Sequence, residues 1–199
     1  QVGAAAGGPV RIAGAYSGVV QFHNLSKPLR FSNPFTQFYV EKIPGQARIS
    51  LGDFSASNLV GPVHFASHSG DVRISKVSGS LEVAADRGDI RLQPGALPLA
   101  RINAQTRSGD IELSIPPGAN FNLTATAEHG EVVNDFGAPL NSAGEGGFGG
   151  TLRGSVGSGP DVKLHTDRGT ITVRKASPGE KTIKRTTALP VQPLKTVEQ

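Results

Sequence analysis

The stretch that decides the fold is GPVHFASHSGDVRISKVSGSLEVAADRGDIRL, residues 61–92. Each glycine in it opens a Gly-x-h-x-h pattern, where h is apolar: GPVHF at 61, GDVRI at 70, GSLEV at 79 and GDIRL at 88. Alternation over five residues is the period of a strand with one face buried. The glycine before each strand supplies a turn conformation that other residues enter at a cost. Counting outward, Gly52, Gly61, Gly70, Gly79 and Gly88 lie nine residues apart, and Gly88, Gly109 and Gly130 lie 21 apart. GDFSA at 52 and GDIEL at 109 are further copies, GEVVN at 130 is a weaker one, GTITV at 169 a later one, and GVVQF at 18 an early relative.

Nine residues are too few for a βαβ crossover. An antiparallel meander or sandwich and a solenoid with two strands per rung both remain open. An 18-residue frame favours the solenoid. It aligns Phe54, Val72 and Ile90 in one column and Ala56, Ile74 and Leu92 in a second. Val63 and Leu81 form a third column, Phe65 and Val83 a fourth. Like-on-like columns suit rungs stacked in register about 4.8 Å apart. The expectation is an all-β chain forming a parallel β-helix or β-solenoid, with about two strands per rung of 18–21 residues.

Composition agrees. Gly (26) and Pro (14) together fill about a fifth of the 199 residues, and charged residues only 18%. That excludes a helical bundle or coiled coil. No run approaches a membrane-spanning helix, so membrane contact is expected only through a segment upstream of Gln1. With no Cys, there is neither a disulfide framework nor a thiolate nucleophile.

The expected organisation is one solenoid domain over 1–176 and a basic, Pro-containing tail over 177–199. Runs at 10–51 (RIAGAY, VVQFHNL, PLRF, TQFYVEKI, ARISL) read as first rungs with irregular corners. The segment 135–160, with its run GEGGFGGTLRGSVGSG, reads as a Gly-rich excursion between two repeat copies. The net charge of +4 sits wholly in the last 26 residues, because 14 basic and 14 acidic groups cancel over 1–173. The six tail cations are dispersed, broken by Pro178, Pro190 and Pro193, and carry no interleaved aromatic. Nucleic-acid binding is therefore not expected.

The order SGDIELSIPPGANFNLTATAEHGEV (108–132), a Gly-rich segment and GSGPDVKLHTDRGTITVRK (157–175) resembles the bacterial putative-adhesin family of β-strand-repeat domains, a domain of unknown function. NLVGPVHF (58–65) and HNLSKPLRF (23–31) share in the resemblance, which covers roughly residues 10–175. It implies a single-stranded right-handed β-helix in an envelope or extracellular bacterial protein, with no established catalytic residues.

The best local chemistry is the acid after each repeat glycine: Asp71, Asp89, Asp110 and Glu131. Stacked rungs would line these carboxylates about 5 Å apart, where Ca²⁺ would relieve their repulsion. Against this, Asp after Gly also serves simply as a turn residue, and Arg73 and Arg91 stand ready to neutralise the acids. Two residues before the glycines, His68, Asp86, Arg107 and Glu128 form a self-compensating ladder. RGD at 87–89 follows from the repeat itself. GEGGFG at 144–149 lacks the strand and helix that a dinucleotide site needs. His64 and His68 do not share a face of a strand.

No cofactor or metal is expected; the acid column is only a candidate for Ca²⁺, and its turn role is the preferred reading. The leading reading is a non-enzymatic scaffold or adhesion-type module with a surface glycan or protein as partner. Self-assembly into homo-oligomers through the solenoid ends is the alternative. A polysaccharide-active β-helix enzyme, with Asp71, Asp89 and Arg91 as its suspects, is the minor one.

Overall fold

The structure, a computed structural model, describes residues 10–14, 18–50, 53–95, 97–143 and 149–176. Gly52, most of the GEGGFG run and the tail 177–199 lie outside the described residues. Every regular element among the described residues is a strand. In chain order they are β1 (Val10–Ala13), β2 (Val19–Leu25), β3 (Leu29–Ser32), β4 (Thr36–Ser50), β5 (Asp53–Ser67), β6 (Val72–Ser78), β7 (Leu81–Arg87) and β8 (Ile90–Gln93). There follow β9 (Ile102–Ser108), β10 (Ile111–Ile115), β11 (Phe121–His129), β12 (Val132–Asp135), β13 (Asn141–Ala143), β14 (Gly150–Val156), β15 (Asp161–Arg168) and β16 (Ile171–Lys175).

The nine-residue spacing has a geometric cause. Each rung is two short strands and two corners. Residues 54–60 of β5 pair in parallel with β6, and residues 63–67 of the same strand pair with β7. Phe54 and Phe65 are eleven residues apart, about 36 Å in an extended strand. Their rings nevertheless stack at 4.2 Å. β5 therefore folds back on itself at Gly61-Pro62, and its two halves belong to facing sheets. Gly70 and Gly88 make the opposite corner.

Hydrogen bonding runs unbroken through β4 and β5, which join both sheets. The first sheet orders β2, β4, β5, β6, β8, β10, β16 and β12; the second orders β1, β3, β4, β5, β7, β9, β15, β11, β14 and β13.

The columns read from the 18-residue frame are the observed register. Phe54 pairs with Val72 and Val72 with Ile90; Ala56 pairs with Ile74 and Ile74 with Leu92. Val63 pairs with Leu81 and Phe65 with Val83. All ten side chains are buried and belong to one core. A side chain of this size contributes roughly 1.5–3 kcal/mol on burial, so the columns are the main source of stability.

Three expectations are corrected. Residues 10–51 are not first rungs. β4 runs antiparallel to β5 along both sheets, with Thr36 opposite Ser67 and Ser50 opposite Asp53, and β2 and β3 run antiparallel to β4. This block closes one end of the stack. Second, the rungs do not stack in sequence order. β15 lies between β9 and β11, and β16 between β10 and β12. The late copy at Gly169 thus inserts between the copies at Gly109 and Gly130. Third, the segment 135–160 is not only an excursion, for it contains β14, which runs antiparallel to β11 and carries β13 on its outer edge.

Candidate functional site

The acid column is real, and its geometry is that of a hydrogen-bond ladder. Asp71 N–H donates to Asp53 Oδ1 at 3.0 Å, Asp89 N–H to Asp71 Oδ1 at 3.2 Å and Asp110 N–H to Asp89 Oδ1 at 3.1 Å. Thr170 N–H then donates to Asp110 Oδ1 at 2.7 Å. Each carboxylate satisfies a corner amide of the next rung, a donor that the turn leaves without a strand partner. The second oxygens face arginines: Arg73 Nη2 is 3.0 Å from Asp71 Oδ2, and Arg91 Nη2 is 3.8 Å from Asp89 Oδ2. Glu131 does not adjoin Asp110, because Thr170 of the inserted rung stands between them. Arg91 reaches Glu112 at 3.3 Å, and Arg174 Nε lies 2.6 Å from the other oxygen of Glu112. The outer side of the first sheet is thus a zipped lattice of arginine and acid.

The outer side of the second sheet is built differently. Ala66 pairs with Ala84, Ala84 with Gln105 and Gln105 with His165, giving a low floor of small side chains at one end. One wall is the ladder before the corner glycines. His68 Nδ1 lies 2.8 Å from Asp86 Oδ2, and Arg107 Nη2 lies 3.5 Å from Asp86 Oδ1. The other wall is the turn Asn33–Gln37 at the start of β4. Tyr39, His64 and Glu82 lie in a neighbouring depression of the same sheet, with His64 Nδ1 2.7 Å from Glu82 Oε2 and the Arg30 guanidinium 5.1 Å above the Tyr39 ring. Exposed ion pairs of this kind contribute at most about 1 kcal/mol each; they fix the shape of the walls more than they stabilise the fold.

The resulting groove encloses about 440 Å³ along β5, β7, β9 and β15. At its mouth stands Phe35, 67% exposed. Its backbone is held firmly. Asn33 Oδ1 accepts the N–H groups of Phe35 (2.8 Å) and Thr36 (2.6 Å), Asn33 N–H donates to the Thr36 carbonyl (2.9 Å), and His68 N–H donates to the Phe35 carbonyl (2.8 Å).

The sequence reading placed His68, Asp86, Arg107 and Glu128 in one ladder but left out Asp167. Asp167 sits two residues before Gly169, and only the strand insertion brings it to Glu128 and into the groove lining. The signal was present in the Gly169 copy, but sequence order placed that copy last. Phe35 was missed as well; the Asn33-Pro34 pair before it is the sequence mark of such a turn. RGD 87–89 forms the Gly88 corner; His64 and His68, not expected to share a face, both point outward from the second sheet, but their side chains pair with separate acids, Glu82 and Asp86.

No functionally curated protein matches the chain. A crystal structure of a putative cell adhesion protein from Clostridium sporogenes is 12% identical, with a TM-score of 0.47 over 87% of this chain and 89% of that one. The family model described as Toastrack DUF4097 matches residues 42–174, from the second half of β4 through β16. Those residues are more than half of the chain, and they carry both sheets, the corner glycines and the acid ladder: the chain belongs to the Toastrack DUF4097 family.

Proposed function

We propose that this protein is a non-enzymatic scaffold or adhesion-type module of the bacterial envelope or extracellular surface, and that the groove on its second sheet holds an extended glycan. The observation that carries the reading is Phe35. A large aromatic left in water costs solvation free energy, yet here its backbone N–H and carbonyl are both hydrogen-bonded, to Asn33 Oδ1 and His68 N–H, at the mouth of a groove. A pyranose presents an apolar C–H face that lies against such a ring, while its hydroxyls require donors and acceptors. Gln37, Gln105, Asp86 and Arg107 offer both along the groove. The non-enzymatic part is supported by the acid ladder. Asp71 and Asp89, the suspects for glycan cleavage, have their oxygens committed to corner amides and arginines.

The test is titration of purified bacterial cell-wall and capsular oligosaccharides, followed by calorimetry and by product analysis. Wild type is expected to bind at least one class and release no product. Phe35→Ala is expected to lose binding, and Phe35→Tyr to keep it. Equal binding by wild type and Phe35→Ala, or no binding across the panel, overturns the glycan reading; released product overturns the non-enzymatic one.

A second reading, end-to-end self-assembly, is supported by β12, whose outer edge has no strand partner among the described residues. An open edge offers a row of unpaired N–H and C=O groups to another chain. β16, though last in sequence, is not such an edge, since β10 and β12 flank it. Sedimentation at two concentrations tests the assembly: a monomer at both removes it.

A further inference from the structure

The inserted rung brings Glu128 beside His165 and Asp167, a pair that comes far later in sequence. Glu128 is on β11 and Asp167 on β15. The parallel register sets Ala127 beside Thr166 and His129 beside Arg168, so the two carboxylates stand opposite one another on the outer face. Like charges so placed repel. His165 projects from that same face, with Nε2 3.0 Å from Asp167 Oδ1 and 3.7 Å from Glu128 Oε1. One ligand atom from each of the three lies within 4.8 Å of the others.

A single imidazole N–H hydrogen-bonds one of these carboxylates and is too far from the other. A small divalent cation would engage both. Tetrahedral bonds of 2.0–2.1 Å separate neighbouring ligand atoms by about 3.3 Å, and the two observed separations bracket that figure. The donor set also selects the metal. One imidazole with two carboxylates suits borderline ions such as Zn²⁺, whereas Ca²⁺ takes six to eight oxygens. His129 Nδ1 lies 3.3 Å from the Asp167 carbonyl oxygen and ties the corner next to Glu128 to β15. His165 and Asp167 also line the groove, so a bound ion would present its remaining position there.

We propose that Glu128, His165 and Asp167 form a binding site for a divalent metal of the zinc class, open toward the groove of the second sheet. The site is distinct from the acid column of the first sheet. It stands whether or not the groove takes a glycan, because its measurement uses the metal alone.

The experiment is titration of tag-free, chelator-stripped protein with Zn²⁺ and, separately, Ca²⁺, followed by calorimetry and by the imidazole resonances of the five histidines. Zn²⁺ is expected to bind one per chain and to shift the His165 resonances. Binding is expected to weaken as pH falls, since protons compete for the imidazole. His165→Ala and the near-isosteric Glu128→Gln should each weaken binding on the order of tenfold or more, with their melting in chelator unchanged. Ca²⁺ should leave His165 unshifted. Zn²⁺ binding that spares His165, or that survives both substitutions at wild-type strength, overturns the assignment. Equal occupancy by Ca²⁺ overturns the metal class.

Discussion

At the scale of single residues, the corner glycines do more than turn the chain. Gly88 has φ +127, and a Cβ placed on it would overlap the Gly70 carbonyl of the rung below. Gly118 also has positive φ (+79), but a Cβ there meets nothing within 4 Å. The two positions separate backbone strain from steric contact. Gly118→Ala should cost about 1 kcal/mol, the strain alone. Gly88→Ala should cost about 3 kcal/mol or more, because rung spacing must also give way. Urea denaturation of the two variants checks this; equal losses would show that the close stacking of corners contributes nothing. The acids beside these glycines were legible in the sequence as a column, but not as acceptors of the next rung's amide, since that depends on corner geometry.

At the scale of elements, the central rungs were legible because their strands repeat in phase. An 18-residue frame holds only if residue n sits above residue n − 18, and the register bears it out for Phe54, Val72 and Ile90. Val72 is fully buried within that column. Val72→Asp should cost at least about 3 kcal/mol, from lost burial and an unpaired carboxylate in an apolar column. A mutant melting within a degree or two of wild type would refute the stacked-column account. The N-terminal strands were legible as strands but not in direction, because alternation reads the same for parallel and antiparallel pairing. TQFYVEKI and ARISL also proved to be parts of one strand, β4, which passes from one sheet to the other between Val40 and Lys42, opposite the bend in β5. The order of the last rungs was hidden by the regular 21-residue spacing of Gly88, Gly109 and Gly130. Burial explains the true order. Val173 continues the buried column of Leu92 and Leu113, whereas the corresponding position of β12 is Asn134. Placing Asn134 at the end spares the column a polar amide, which donates instead to the Leu140 carbonyl at 2.9 Å. The metal candidate at Glu128, His165 and Asp167 was hidden for the same reason.

At the scale of the whole molecule, the inserted rung makes residues 161–175 central though they come late in the chain. Ile111 N–H donates to the Thr170 carbonyl and Ile171 N–H to the Glu131 carbonyl, both at 2.9 Å. Native-state hydrogen exchange should place these two amides among the slowest, opening only with global unfolding. Amides of the edge strands β12 and β13 should exchange by local opening. Fast exchange at Ile171 would mean that β16 is peripheral after all. The arrangement also has a consequence for a chain made from its N-terminus onward. Strands β9 and β10 emerge with one edge bare, and their proper neighbours are synthesised some 60 residues later. At ordinary elongation rates that gap lasts roughly 3–12 seconds. For most of it, β11 and β12 are already available and match the bare edge in spacing and pattern. The stack suggested by reading the sequence in order is therefore also the mispairing the nascent protein must avoid, and Asn134, unwelcome against Leu113, is the residue that biases against it.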